Sequence, residues 1–225
     1  FFNGSTTTQS VNFGYGLATT GVNGTGELGS LVPGMEQQVN AFIADHQQVN
    51  QTADADALYV LWGGSNDYFL PDADPEQTVA NLEAQIESLH DLGGENFLVV
   101  NLPDLGLLPE ANNPNLPVSA EGLSELATAH NSLLDSRVKV LQDSLTGLDI
   151  DILDANTLFT DIVSDPEAFG LTNVTEPFLD PLTFTPTVGA DVDEYLFFDT
   201  LHPTQAAYEF LSDLALETIG QETAL

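Results

Sequence analysis

The sequence predicts an α/β fold: a three-layer α/β/α domain on a parallel sheet. Three observations carry this. Ala57–Gly63 (ALYVLWG) and Asn96–Leu102 (NFLVVNL) are continuous apolar runs, as strands buried on both faces require. Amphipathic stretches with apolar residues at helical spacing lie around them. The two kinds of segment alternate along the chain, the pattern of βαβ units.

In chain order, Ser10–Gly16 (SVNFGYG) reads as a short strand ending in glycines. Pro33–Asn50 reads as a helix, opened by Pro33 and carrying Met35, Val39, Phe42 and Ile43 on one face. After the Ala57–Gly63 strand, Pro75–Leu92 is helical through Val79, Leu82, Ile86 and Leu89, and Gly93-Gly94 ends it. The Asn96–Leu102 strand follows, then a long helix over Gly122–Leu145 with Leu123, Leu126, Leu133, Leu134, Val138 and Leu141. Asp149–Leu153 (DIDIL) alternates rather than running apolar throughout, which predicts a strand nearer an edge. From Asn156 to Phe197 come short helical pieces around Asp161–Phe169 and Pro-rich loop, with no clear strand; a region of that length suits a lid or a binding surface. Pro203–Ile219 closes the chain as a helix, with Pro203 at its first position. With 225 residues, 42% hydrophobic, the chain is long enough for one domain with a sizeable core.

Charge narrows the function classes. There are 35 Asp and Glu against 2 Lys and Arg, a formal net charge of −33, and the only cations are Arg137 and Lys139. Such a surface repels phosphate backbones, so nucleic acid is not an expected partner. It also repels anionic membranes. The charge fits a saline habitat, where counterions screen self-repulsion, or an acidic secreted bacterial protein. The absence of cysteine excludes disulfides, thiolate nucleophiles and Cys-ligated zinc.

Three patches fall beyond the carboxyl ends of strands, where open α/β sheets place their sites. Gly63-Gly64-Ser65-Asn66-Asp67 follows the first apolar run. Its glycines let the chain turn sharply, and the Asn66 amide suits an oxyanion donor, worth ~3–4 kcal/mol. The alternative is a turn in which Asn66 and Asp67 only satisfy backbone groups. Asn12–Gly21 (NFGYGLATTG) is a glycine-rich loop without the spacing of a phosphate loop. Its N–H groups suit an oxyanion, or it is a plain glycine turn. Phe197–Thr204 (FFDTLHPT) holds Asp199 and His202 three residues apart. That spacing brings the carboxylate onto the imidazole and orients it as a general base; the alternative is a structural hydrogen bond. His46, His90 and His130 sit in amphipathic helices and read as surface or packing residues. One His beside one Asp is too few ligands for a metal site.

In this order the patches resemble the GDSL/SGNH hydrolase family, most closely its bacterial lipase and esterase branch, sometimes called lecithinase- or haemolysin-like. Asn12–Gly21 resembles the family's glycine block, Gly64-Ser65-Asn66-Asp67 its GxND block, and Asp199–Pro203 its DxxHP block. Asn101–Gly106 (NLPDLG) is similar to a segment of that branch. The resemblance implies a flavodoxin-like SGNH α/β/α fold and hydrolysis of esters such as lipids, aryl esters or acylated sugars. It implies His202 as general base, Asp199 as its orienting partner, and Gly16 (backbone N–H) and Asn66 (side-chain amide) as oxyanion donors. No metal or organic cofactor is needed for such chemistry.

The departure from the family is the nucleophile. Its serine lies in a GDS motif after the first strand, well before the glycine block. Here eleven residues precede Asn12 and no GDS occurs. Ser5 lacks an apolar strand before it, and Ser65 belongs to the GxND block. The expectation is therefore one N-terminally incomplete domain over residues 1–225, missing its first strand, with the nucleophile on a separate N-terminal segment. The runner-up is an inactive, truncated or degenerate domain that binds lipid or glycan. Leu17 is a second departure, where the family usually has Gly or Ala.

Overall fold

The computed structural model describes residues 10–26 and 29–220; Ser5 lies outside them. The elements are α1 (Met35–Gln48), β1 (Leu58–Leu61), α2 (Ser65–Tyr68), α3 (Pro75–Leu92), β2 (Asn96–Val100), α4 (Ala120–Ser144), β3 (Asp149–Leu153), α5 (Ala155–Ser164), β4 (Asn173–Pro177), β5 (Tyr195–Phe197) and α6 (Gln205–Gly220). β1, β2 and β3 form a parallel sheet in that order. Val60 lies opposite Leu98, and Leu98 opposite Asp151.

Side-chain alternation along β2 divides the core into two layers. Phe97 and Val99 pack with Val79, Leu82 and Ile86 of α3 and with Leu134, Val138 and Leu141 of α4. Leu98 and Val100 face the other way, towards Phe159 and Ile162 of α5 and Ala207 and Leu211 of α6. Helices on both faces of a parallel sheet make the expected three-layer α/β/α architecture. β2 is central, and four of its five residues are buried.

Local chemistry sets the helix ends. Asp74 caps α3 by accepting the Glu76 N–H, Pro75 opens it, and Gly93 closes it at φ 118°, a left-handed position. Ser119 caps α4 and Asp154 caps α5 in the same manner. The last helix begins later than Pro203 suggested. Pro203 bridges to Phe197, and the Thr204 hydroxyl accepts the Ala207 N–H as the cap of α6. His202 therefore sits in a turn ahead of the helix.

Three further expectations meet a different outcome. Ser10–Gly16 forms no strand, because no neighbouring strand pairs with it among the described residues. The Asn156–Phe197 region contains the parallel pair β4 and β5, which non-local pairing creates from short sequences without a strong period. β1 is not buried on both faces. It lies at the sheet edge with Leu58 44% and Val60 58% exposed, while Leu61 is buried against the α3 layer. On the Val60 side, α6 reaches as far as Trp62, whose ring meets Tyr208 edge-on at 6.5 Å. β3 lies at the opposite edge, as its alternation predicts.

Candidate active site

The site is assembled on the segment that leaves β1. Trp62 leads into Gly63 and Gly64, where Gly64 requires glycine and Gly63 packs closely on Met35. A Cβ on Gly63 would lie 2.1 Å from the Met35 sulfur, and Gly64 has φ 119° with His130 Cε1 only 2.7 Å from where its Cβ would stand. This turn launches the short helix α2, which presents Asn66 and Asp67 towards the glycine-rich block.

That block is fastened to the helices by side chains. Asn66 Nδ2 donates to the Ala18 carbonyl at 2.9 Å. The Asp67 carboxylate accepts the Thr20 N–H at 3.0 Å and the Thr20 hydroxyl at 2.7 Å. Asn81 Nδ2 donates to the Thr20 hydroxyl, and Gln85 Nε2 to the Thr20 carbonyl. Thr20 is wholly buried. Burial raises the Asp67 pKa, and the Thr20 donors pull against that rise. Asn66 thus satisfies a backbone group, as the plainer reading held, yet its amide has a second hydrogen left to donate. Gly16 forms the exposed turn just before, where Ala18 N–H donates to the Tyr15 carbonyl. Leu17 holds φ 69°, a left-handed conformation that glycine adopts without strain and leucine does not. The Leu17 side chain is 47% exposed beside that turn.

Asp199 and His202 form the second half. His202 Nδ1 lies 2.9 Å and 3.0 Å from the two carboxylate oxygens of Asp199. Asp199 Oδ1 also accepts the backbone N–H groups of Leu201 and His202 at 2.8 and 2.7 Å. Burial would raise the Asp199 pKa, but those N–H groups and the imidazole outweigh it and hold the carboxylate below its usual value. An ionised Asp199 fixes the proton on Nδ1, leaving Nε2 as the nitrogen free to take a proton. The imidazole side chain is 66% exposed. The turn is tied down by Glu110 N–H, which donates to the Thr200 carbonyl, and by Phe198 N–H, which donates to the His202 carbonyl. Burial and the Asp199 charge raise the Tyr208 pKa, and the Tyr208 ring meets Trp62 at the end of β1. Among the described residues no hydrogen bond joins His202 directly to Asn66 or Gly16.

The NLPDLG segment has a structural task. Asp104 accepts the Gly106 N–H and the Ser124 hydroxyl, and Asn131 of α4 bonds both the N–H and the carbonyl of Leu102. These bonds clasp the end of β2 to α4. His130 is more than the packing residue its helix suggested. It is fully buried, and its Nδ1 lies 2.8 Å from the Tyr68 hydroxyl of α2. The sequence held no local signal for this pair, because the partners are 62 positions apart. The Thr20–Asp67 clasp was hidden for the same reason, although both residues stood in blocks already singled out. Among the described residues no group of three or more His, Cys, Asp or Glu is placed to hold a metal ion.

Asp199 and His202 thus form a carboxylate–imidazole pair after β5, and Asn66 stands on a glycine-bounded turn at the carboxyl end of β1. The sequence model of the GDSL-like lipase/acylhydrolase family matches residues 2–215, and the chain belongs to that family. It is 26% identical to a GDSL esterase/lipase of Arabidopsis thaliana, over 92% of this chain and 63% of that protein. It is 22% identical to the thermolabile hemolysin of Vibrio parahaemolyticus, over 91% of this chain and 51% of that protein. An acetylesterase of Thermothelomyces thermophilus is 26% identical, over 88% of this chain and 65% of that protein. The chain thus spans between about half and two thirds of the length of these relatives.

Proposed function

We propose that this chain carries the base and oxyanion half of a serine ester hydrolase acting through an acyl-enzyme. His202 Nε2 takes the proton of a serine hydroxyl as it attacks the ester carbonyl, then returns it to the leaving alcohol. Asp199 orients the ring and stabilises the imidazolium. The second amide hydrogen of Asn66 and the Gly16 N–H receive the oxyanion. The observation that carries the reading is the Asp199–His202 contact, with both carboxylate oxygens within 3.0 Å of Nδ1.

The serine belongs, on this reading, to a further N-terminal segment that supplies a strand to the sheet. Support comes from β1, whose outer edge has no strand beside it among the described residues and whose Leu58 and Val60 lie exposed. An added parallel strand there would pair with the outer backbone edge of β1, set its own side chains beside Leu58 and Val60, and end beside Trp62 and Gly63. The family relation supports the ester class, since the relatives are named as esterases and lipases. The reading includes a saline, extracellular setting, supported by the charge of −33 and by two cations that are both engaged with carboxylates.

The test is complementation. The 225-residue chain alone is expected to leave p-nitrophenyl esters intact, and addition of a segment bearing a strand and a GDS serine is expected to produce hydrolysis. Robust His202-dependent turnover by the chain alone would overturn the placement of the nucleophile.

A further inference from the structure

The loop from Phe178 to Ala190 leaves β4 beside the Asp199–His202 turn. Its base is bonded to that turn: Phe178 N–H donates to the Phe197 carbonyl and Leu179 N–H to the Phe198 carbonyl, each at 2.9 Å. The Phe178 ring stacks on Phe198, the neighbour of Asp199, with centroids 6.2 Å apart. The tip is held by its own bonds. Asp180 N–H donates to Thr185, Phe184 N–H to Asp180, and Leu179 bridges to Pro186. The Asp180 carboxylate accepts from Leu182 N–H, Thr183 N–H and the Thr183 hydroxyl.

This ordered tip carries its apolar side chains outward. Leu182 is 89%, Phe184 74% and Val188 100% exposed. Phe184 sits at φ 53°, an uncommon conformation for an aromatic residue. Asp180 is the only charged residue in the loop, and its carboxylate is occupied by the loop's own donors. Three side chains this exposed on a hydrogen-bonded tip do not form the walls of a groove for a peptide. They suit a soft apolar medium that they can enter.

We propose that the Phe178–Ala190 loop docks the protein on uncharged or zwitterionic lipid–water interfaces, bringing ester lipids in aggregates to His202. This rests on the ester-hydrolase reading above. The charge of the chain selects the kind of surface: −33 repels an anionic bilayer, and the loop has no cation to hold an anionic headgroup. The apolar surface continues from the tip through Phe178 to the 40% exposed Phe198, next to the catalytic pair. Each tip side chain that enters the acyl region is expected to strengthen partitioning by about tenfold or more.

The experiment is flotation of the 225-residue chain with phosphatidylcholine vesicles and, separately, phosphatidylglycerol vesicles, with circular dichroism to verify folding. Wild type is expected to float with phosphatidylcholine and much less with phosphatidylglycerol. The combined variant Leu182→Ser, Phe184→Ser, Val188→Ser is expected to lose at least 100-fold in partitioning, about two of those tenfold steps, with its dichroism unchanged, whereas His202→Ala floats as wild type. Wild type that stays with the pellet fraction, or a triple variant that floats unchanged, overturns the proposal. So does a wild-type dimer that the triple substitution converts to monomer without affecting flotation, which would assign the tip to a second copy of the chain. Binding is read without turnover, so vesicle binding by a chain that stays inactive even with the GDS-bearing segment added sinks the enzymatic reading alone. Hydrolysis of soluble esters without vesicle binding sinks the docking alone.

Discussion

The Tyr68 hydroxyl and His130 Nδ1 meet at 2.8 Å in a position where neither side chain reaches solvent. Tyr68 ends the short helix that carries Asn66, and the His130 ring lies directly against Gly64, which begins it. The pair therefore supports the amide donor from beneath. Among the described residues the His130 Nε2 has no hydrogen-bond partner, so protonating the ring would bury an uncompensated charge.

Acid should expose this pair. Burial pushes the His130 pKa down to about 4 from 6.5. The unfolded chain then binds a proton that the folded chain refuses between those values. Stability from this group is complete above pH 6.5 and is lost as pH falls towards 4, by about 3 kcal/mol. Urea titrations across that range are expected to give a steeper loss for wild type than for His130→Gln. Parallel curves for the two proteins would refute the coupling.

The roles proposed for Asp199 and His202 are tested in the chain complemented with the GDS-bearing segment. His202→Ala is expected to lower kcat by several orders of magnitude, and Asp199→Asn by about 10⁴-fold through the wrong imidazole tautomer. KM should change little in both, since neither group contributes to binding of the uncharged ester. A variant retaining a tenth of wild-type kcat would remove that residue from the proposed roles.

Thr20→Val asks whether the clasp on the glycine block matters. The substitution keeps the shape and removes the hydroxyl that joins Asp67 to Asn81. Leaving these polar groups short of partners is expected to cost about 1–3 kcal/mol in urea unfolding. In the complemented enzyme kcat should fall too, because Asn66 and Ala18 lose their fixed spacing. A stability equal to wild type would show the clasp to be dispensable.

Salt should stabilise the fold. Arg137 pairs with Glu76 and Glu83 across α3 and α4, and Lys139 with Asp143, so the 35 carboxylates have two Lys and Arg side chains to offset their mutual repulsion. Screening that repulsion is expected to raise Tm from low to molar NaCl, on the order of 2–4 °C for each kcal/mol gained. A flat Tm across this range would exclude the saline reading.

The sequence alone did not determine the short helix α2 or the start of α5, but it determined the four long helices α1, α3, α4 and α6, the central strand and the Asp199–His202 contact. Those features are local: α3 has its cap, its proline and its terminal glycine within one stretch, and the Asp199 carboxylate reaches an imidazole three residues away. What only the tertiary structure decided are pairings between distant segments. The apolar run at Leu58–Leu61 reads as a buried strand, but burial depends on what lies over it, and here Val60 is left uncovered. β4 and β5 exist through each other, eighteen or more residues apart. The Thr20–Asp67 and Tyr68–His130 contacts span 47 and 62 positions, beyond any periodicity, so the support beneath Asn66 became visible only once the chain was folded.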